Sequence, residues 1–379
     1  MRRTRFLMIG GFLGAGKTTT IARLAGHFTD QGLRVGLVTN DQAYGLVDTE
    51  TLRAQGFHVG EVPGACFCCK FDELVETAAA LGADSQPDII LTEPVGSCTD
   101  LMATVLRPLN HLFGDRYQLG PLTVLCKPEH GRKILGGGSG GFSPQAAYIF
   151  LKQLEEAQLI VLNKVDRLNG KQQSELLDLL RDRFPNKQLL PVSGTTGVGF
   201  DELVAALESD DFLAKGPLAD PLPADGPLDI DYDTYAAGEA ALGWMNCGVK
   251  LTSEEKTLWS LDQIAQKLVT KFSEELLAAD MEPGHVKVLA AAGGATAVAN
   301  WVASDAPVEL SVASKIDVTA ADVLINVRVH GEPERLAELV TTSITEVAGL
   351  LGLVYELSEV QHFRPSRPEP THRYVNSKG

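Results

Sequence analysis

The sequence predicts two domains, the first built on a mostly parallel β-sheet flanked by helices and the second a smaller α+β domain. At 379 residues, the chain exceeds the size at which one hydrophobic core usually stops growing. Over residues 1–208, short apolar runs alternate with segments of helical periodicity, a pattern typical of parallel strands covered on both faces. Residues 209–230, rich in Pro, Gly and Asp, predict a linker.

The strands of the first domain are predicted from runs without a charged residue. The clearest lie at residues 6–9, 35–39, 89–92 and 159–162. Beyond the linker, residues 231–379 predict the order strand, helix, strand, strand, helix, strand of a ferredoxin-like βαββαβ domain. Its strands are predicted at residues 242–250, 285–291, 321–329 and 354–363, and its helices at residues 260–278 and 333–351.

A glycine-rich stretch, residues 136–141, interrupts the first domain. Glycine loses more conformational freedom on ordering than any other residue, so a mobile surface loop is predicted here. A functional lid is the alternative interpretation.

Composition and charge limit the location and the partners of the chain. It is 44% apolar and 22% charged, with a mean hydropathy of +0.02, as is usual for soluble globular proteins. No signal peptide is recognisable, and no apolar run reaches the length of about 18 residues that a spanning helix needs, so a cytoplasmic protein is expected. The net charge of −16 repels nucleic-acid phosphates and anionic lipids, which predicts that neither nucleic acid nor membrane is a partner.

A phosphate-binding motif follows the first predicted strand. Residues 11–18, GFLGAGKT, fit the P-loop pattern G-x-x-x-x-G-K-[ST] and precede a helical segment, so the first domain is predicted to be a P-loop NTPase. Lys17 is expected to reach the β- and γ-phosphates and Thr18 to bind Mg²⁺, while backbone N–H groups surround the phosphates. The residues expected at the nucleotide are Gly11, Gly14, Ala15, Gly16, Lys17, Thr18 and Thr19.

A second motif, Asn163-Lys164-Val165-Asp166, predicts that the base is guanine. A carboxylate such as Asp166 can accept from the ring N–H and the exocyclic amine of guanine, whereas adenine offers no such donor pair. Asn163 can meet the acceptor edge of the base, and the stem of Lys164 can lie over its face. Ser193 and Gly194, about thirty residues further on, are expected to form a second base-contacting loop. The two motifs together predict GTP as the nucleotide.

Carboxylates follow two of the predicted strands. Because the carboxyl ends of parallel strands meet at one edge of the sheet, Asp41 and Glu93 are expected to share Mg²⁺ with Thr18. Asp48 is expected to orient the attacking water, so the predicted catalytic residues are Lys17, Asp48 and Glu93. The alternative is that these carboxylates are solvated loop residues.

Cys66, Cys68 and Cys69 are clustered, whereas the other three cysteines are scattered. In a reducing compartment such a cluster favours metal or redox chemistry over a disulfide framework. Thiolates suit Zn²⁺ and other borderline ions, but adjacent Cys68 and Cys69 do not easily complete a tetrahedron alone. An open metal site, completed by a second subunit or a client, is therefore predicted. Buried apolar cysteines or a redox pair are the alternatives.

Five ordered motifs, GGFLGAGKTTT, TNDQAYGLVD, GACFCC, TEPVG and LNKVD, resemble those of the CobW/HypB/UreG class of P-loop GTPases. The C-x-C-C signature is similar to that of the CobW branch, although the usual Glu-Asn-Glu of the switch is Thr39-Asn40-Asp41 here. The resemblance implies a GTP-hydrolysing metallochaperone that carries Zn²⁺ or Co²⁺ on Cys66, Cys68 and Cys69 for a client metalloprotein. A nucleotide-dependent homodimer would fit such a protein.

Two other functions are compatible with these motifs. A GTP-controlled adaptor would dock its C-terminal domain on a corrinoid or other metalloenzyme without carrying metal. A nucleotide-dependent small-molecule kinase would leave the guanine motif without a purpose.

Overall fold

The computed structural model describes residues 3–82, 86–209, 228–358 and 360–374. Most of the predicted linker, residues 210–227, lies outside these ranges. Among the described residues, no helix combines the length and the apolar character that crossing a bilayer requires.

The first domain contains the predicted parallel sheet. Its strands are β1 (Thr4–Gly11), β2 (Val35–Asp41), β3 (Val59–Pro63), β4 (Ile89–Glu93), β5 (Tyr117–Leu119), β6 (Thr123–Cys126), β7 (Leu159–Leu162) and β8 (Gln188–Pro191). In the described part of the chain, their order is β3-β2-β4-β1-β6-β7-β8 with β5 beside β1, and all pairings are parallel. The four predicted strands are confirmed, while the short strands β3, β5, β6 and β8 are additional to them.

Helices cover both faces of this sheet, as the uncharged strands predict. Along β1, Phe6 and Met8 enter one apolar core and Leu7 and Ile9 the other, because successive side chains of a strand point to opposite faces. The helices are α1 (Lys17–Asp30), α2 (Val47–Ala54), α3 (Phe71–Ala80), α4 (Arg107–Phe113), α5 (Pro128–Leu135), α6 (Pro144–Glu156), α7 (Gly170–Arg183) and α8 (Phe200–Glu208), followed after the linker by α9 (Tyr232–Ala240).

The C-terminal domain has an antiparallel sheet. Its strands are β9 (Leu242–Thr252), β11 (Pro283–Ala292), β12 (Ala295–Trp301), β13 (Glu309–Val312), β15 (Ala320–His330), β16 (Val354–Leu357) and β17 (Gln361–Phe363). Two short strands, β10 (Trp259–Ser260) and β14 (Asp317–Val318), form a separate pair. The helices of this domain are α10 (Leu261–Ala278) and α11 (Pro333–Leu351). The order is β13-β12-β11-β15-β9-β16, with β17 beside β9. The predicted elements occur in the predicted order, but β12 and β13 make the sheet larger than a βαββαβ unit, and the last predicted strand is split in two.

The two faces of the C-terminal sheet have different partners. Val286 and Val288 of β11 belong to the apolar core that includes α10 and α11. Lys287 lies between them and therefore points to the opposite face, where it contacts Asp48 of the first domain. The face that α10 and α11 leave open thus adjoins the predicted nucleotide site.

The glycine-rich stretch lies between the two domains. The Gly138 N–H donates to the Lys133 carbonyl at 2.9 Å, and a side chain at Gly141 would come within 2.8 Å of Glu282 of the C-terminal domain. Its mobility stays a prediction.

Candidate functional site

The P-loop lies where β1 ends and α1 begins. Gly14 and Gly16 have φ angles of 73° and 92°, a region that favours glycine. A side chain at Gly16 would also come within 2.5 Å of the Asn163 amide nitrogen. The ammonium of Lys17 donates to the Gly11 carbonyl at 3.1 Å and so folds back over the loop. The backbone thus has the close curvature and the helix N-terminus that phosphate binding requires.

Thr18 lies between two carboxylates. Its hydroxyl is 2.7 Å from Asp48 Oδ1 and 3.1 Å from Glu93 Oε1. The second oxygen of Glu93 is buried and has no hydrogen-bond partner among the residues that the structure describes. Burial, together with the charge of Asp48, raises the pKa of Glu93 to about 7. A hydroxyl beside carboxylate oxygens, one of them without a partner, suits Mg²⁺.

Asp41 contacts the C-terminal domain. Its Oδ1 lies 3.0 Å from a guanidinium nitrogen of Arg328 in β15. Arg328 is fully buried, its guanidinium lies 4.1 Å from the ring centroid of Trp244, and it donates to Asn246 Oδ1 at 2.6 Å. The role of Asp41 in binding Mg²⁺ stays a prediction.

Asp48 is also bound by the C-terminal domain, through Lys287. The lysine ammonium lies 2.5 and 2.6 Å from the two carboxylate oxygens. Burial raises the pKa of Asp48, but the charge and hydrogen bonds of Lys287 outweigh burial and hold the pKa below its usual value. Neither Lys287 nor Arg328 was predicted as a site residue from the sequence. A single charged residue within an apolar strand is the signal that could have identified each of them.

The guanine motif is joined to the P-loop by Asn163. Its amide nitrogen donates to the Ala15 carbonyl at 2.8 Å, and its amide oxygen accepts from the Gly194 N–H at 3.0 Å. Asn163 therefore holds two nucleotide loops together, a structural role that the sequence analysis did not assign. Contact with the base stays a prediction for the neighbouring residues, of which Lys164 is partly buried, Asp166 exposed and Ser193 buried.

Lys127, at the end of β6, is another buried cation between the domains. It donates to the carbonyls of Gly284 and Val302 in the C-terminal domain, at 3.2 and 2.6 Å. A side chain at Gly14 of the P-loop would come within 2.9 Å of its ammonium. Burial lowers the pKa of Lys127 well below its usual value. Lys127 thus links the C-terminal domain to the P-loop.

The three clustered cysteines converge. The sulfur of Cys66 lies 2.9 Å from that of Cys68 and 3.1 Å from that of Cys69, and the latter two are 3.8 Å apart. Two zinc–thiolate bonds of about 2.3 Å at a tetrahedral angle span roughly 3.8 Å, so one ion can reach all three sulfurs. The donor set fits a thiophilic transition metal.

A fourth thiol, that of Cys98, adjoins the cluster. Hydrogen bonds from Cys68, Cys69 and Cys98 hold the pKa of the Cys66 thiol well below its usual range. Cys98 is 1% exposed and lies in the loop that follows β4. Sequence reasoning counted it among the scattered cysteines; its position just beyond Glu93 was the signal that could have placed it here.

Asn40 connects the cysteine loop to the nucleotide site. Its amide nitrogen donates to the carbonyls of Val62 and Ala65, at 2.7 and 2.6 Å, and its oxygen accepts from the Phe67 N–H at 2.8 Å. Asn40 is buried and directly precedes Asp41. The end of β2 therefore holds the cysteine loop through Asn40 and carries Asp41, the predicted Mg²⁺ ligand.

The C-terminal tail covers the outer side of the cysteine loop. The Thr371 N–H donates to the Cys68 carbonyl at 2.8 Å, and its hydroxyl donates to the Cys69 carbonyl at 3.1 Å. The Glu369 N–H points to the Cys69 sulfur at 3.3 Å. The three clustered cysteines are thus enclosed by two distant parts of the sequence.

Comparison with known proteins agrees with this architecture. Residues 5–191 match the sequence model of a family described as CobW/HypB/UreG, nucleotide-binding domain. The chain is 28% identical over 194 residues to the zinc chaperone YeiR of Escherichia coli, covering 49% of this chain and 54% of that relative. It therefore spans about half the length of this relative.

Similar solved structures include HypB from Helicobacter pylori in complex with nickel, at 17% identity and a TM-score of 0.39, covering 53% of this chain and 84% of that one. They also include the Zn(II)-bound YjiA GTPase from E. coli, at 16% identity and a TM-score of 0.34, covering 92% of this chain and 99% of that one. The residues of the family match include the P-loop, the cysteine cluster and the guanine motif. Residues 5–191 form a nucleotide-binding domain of the CobW/HypB/UreG family.

Proposed function

We propose that the chain is a GTP-hydrolysing metallochaperone that binds Zn²⁺ or Co²⁺ at Cys66, Cys68 and Cys69 and delivers the ion to a client protein. The observation that carries the proposal is the set of hydrogen bonds from Asn40 to the cysteine loop, directly beside Asp41. An element that contacts both sites can be biased by both ligands, which is what coupling of two binding sites requires.

The nucleotide site supports the GTPase part of the proposal. The P-loop N–H groups and Lys17 would hold the phosphates, and Asp166, Lys164 and the loop of Ser193 and Gly194 would hold guanine. Thr18, Asp41 and Glu93 are the proposed ligands of Mg²⁺, which when bound neutralises charge on the phosphates. Asp48 would orient the attacking water, and the products would be GDP and phosphate.

The thiol site supports the delivery part. Three thiolates leave one position of a tetrahedral ion open, and a client or a second copy of the chain can supply the fourth ligand. The relative named a zinc chaperone favours Zn²⁺. A cytoplasmic location and a nucleotide-dependent homodimer belong to the same proposal.

Metal titration and single-turnover GTP hydrolysis test the proposal, using the intact chain and a Cys68→Ser, Cys69→Ser variant. The intact chain should bind one thiolate-coordinated ion and hydrolyse GTP slowly, with a rate or nucleotide affinity that changes when the ion is bound. The variant should lose the ion and retain nucleotide, whereas Cys247→Ser, in the C-terminal sheet, should retain both. Identical rates and affinities with and without metal would contradict the proposal. Client activation that survives the double substitution would favour the adaptor function.

A further inference from the structure

A cation at the nucleotide site comes from the other domain. Lys287 lies in the middle of β11, and its side chain is 17% exposed. Its ammonium binds both oxygens of Asp48, while Asp48 also accepts from Thr18 at 2.7 Å. The Asp48 carboxylate therefore links the Lys287 ammonium to Thr18, in the first turn of α1.

Lys287 belongs to a polar row across the C-terminal sheet. It is paired in register with Asn326, which is paired in turn with Asn246. Asn246 donates to the Tyr44 carbonyl at 2.9 Å, and Asn326 accepts from the Val47 N–H at 2.8 Å. This row therefore binds residues 41–48, the segment from Asp41 to Asp48. We call these residues the switch segment.

Two ammonium groups and two carboxylates lie close together at this point. Lys287 is close enough to Lys17 to help lower the pKa of that lysine, whose main cause is burial. Two ammonium groups thus share the two carboxylates Asp48 and Glu93. The terminal phosphate of a nucleoside triphosphate would be a third anionic partner, and lysine has a flexible stem that can change partners without movement of its strand.

We propose that Lys287 is a nucleotide-site residue, supplied by the C-terminal domain, that binds Asp48 when no terminal phosphate is present and binds an oxygen of that phosphate when GTP is present. This inference rests on the proposed function. The exchange frees the Asp48 carboxylate to orient water. GDP has no terminal phosphate, so Lys287 binds Asp48 again when GDP is present. The partner of this lysine in the polar row therefore depends on which nucleotide is bound.

The test is the ratio of two affinities, for a fluorescent non-hydrolysable GTP analogue and for the matching GDP derivative. Lys287→Met should weaken binding of the triphosphate by roughly 10-fold or more, since a charge-assisted hydrogen bond is lost, and should change binding of the diphosphate much less. Lys287→Arg, which retains the charge, should restore most of the discrimination. Lys267→Met, on the exposed face of α10, is the matched control and should leave both affinities unchanged.

A second variant makes the opposite prediction. Asp48→Asn removes the competing carboxylate and should raise the preference for the triphosphate, and this gain should vanish in the Lys287→Met background. The inference would be overturned if Lys287→Met had the same ratio of triphosphate affinity to diphosphate affinity as the intact chain. This holds even if both affinities fall together because the packing of the domains has changed. Failure of the intact chain to bind either guanine nucleotide would instead contradict the proposed function.

Discussion

The Phe67 N–H donates a hydrogen bond of 2.8 Å to Asn40 Oδ1, and this bond joins the end of β2 to the cysteine loop. Asn40 is one residue from Asp41, which the C-terminal domain holds through Arg328. A displacement of the switch segment therefore acts on the backbone that carries Cys66 and Cys68. This arrangement provides the shared element through which GTP and the metal ion can influence each other.

Asn40→Ala should loosen the cysteine loop. The substitution removes three hydrogen bonds and leaves buried backbone groups without partners, so the free energy of unfolding should fall by about 2–4 kcal/mol. The thiols of the cluster should react faster with a disulfide reagent under native conditions. Urea denaturation and thiol titration measure these effects, and Asn300→Ala on β12 serves as the control. Unchanged thiol reactivity would show that Asn40 does not hold the loop.

Removal of residues 369–379 should expose the metal site. The tail contacts Cys68 and Cys69 through Thr371 and Glu369, and Cys69 is only half-buried in its presence. Without the tail, maleimide labelling of Cys69 should accelerate by roughly 10-fold, because a local opening step is no longer needed. Thr371→Ala, which removes only the hydroxyl contact, should have a smaller effect. Equal labelling rates in the truncated and intact chains would mean that the tail does not restrict access.

Cys98→Ser should weaken metal binding. Cys98 lies near enough to Cys66 to help lower the pKa of that thiol, so its loss should lower zinc affinity by roughly 10-fold or more, as is typical of residues that support metal ligands. Competition with a chromophoric chelator measures the affinity, and the sulfur-to-cobalt absorption band reports the thiolates bound. Cys126→Ser, buried in β6, is the control. An unchanged affinity would restrict the site to the other three cysteines.

His130 should make stability depend on pH. It is buried in α5 and lies 2.9 Å from Glu282, and burial together with Lys127 lowers its pKa to about 4. The unfolded chain binds this proton near the ordinary pKa of about 6.5, so the folded state is favoured above that pH and loses stability as the pH falls toward 4. From about pH 7.5 to about pH 5, the loss due to this group should be about 2 kcal/mol.

Replacement of His130 by Asn tests this sign. The difference in free energy of unfolding between the intact chain and His130→Asn should shrink as the pH is lowered, because only the intact chain has this buried imidazole to protonate. Urea denaturation at the two pH values measures it. A difference that is constant with pH would contradict the assigned pKa.

The first domain could be predicted because its strands and its chemistry are local in sequence. The uncharged runs at β1, β2, β4 and β7 identify buried strands. The P-loop motif fixes the start of α1. The convergence of Thr18 with Glu93 follows from the edge of a parallel sheet at which ligand-binding loops meet. The contact of Thr18 with Asp48, which lies in α2 rather than at a strand end, was not predicted, since Asp41 was expected in that place.

The C-terminal sheet was less predictable. The hairpin between β11 and β12 turns at Gly293 and Gly294, which have φ angles of 57° and 82°. A Gly-Gly pair is a recognised hairpin signal, but the alanine-rich flanks have weak strand propensity, and β12 and β13 were therefore missed.

The residues that join the domains could not be inferred from the sequence. Lys287 and Arg328 interrupt apolar strands, which indicates a buried charge, but the carboxylate partner of each lies more than 200 residues away in the chain. Cys98 likewise lies near Cys66 only because the loops after β3 and β4 meet in space. These contacts depend on tertiary packing rather than on a local pattern.

The coupling of the nucleotide and metal sites is tested most directly by the zinc affinity of the intact chain, measured by chelator competition without nucleotide, with GDP and with a non-hydrolysable GTP analogue. We expect the zinc affinity in the triphosphate state to differ from that in the other two by about 5- to 100-fold, the usual range for coupled sites, and Asn40→Ala to remove the difference. The same zinc affinity in all three states would contradict it.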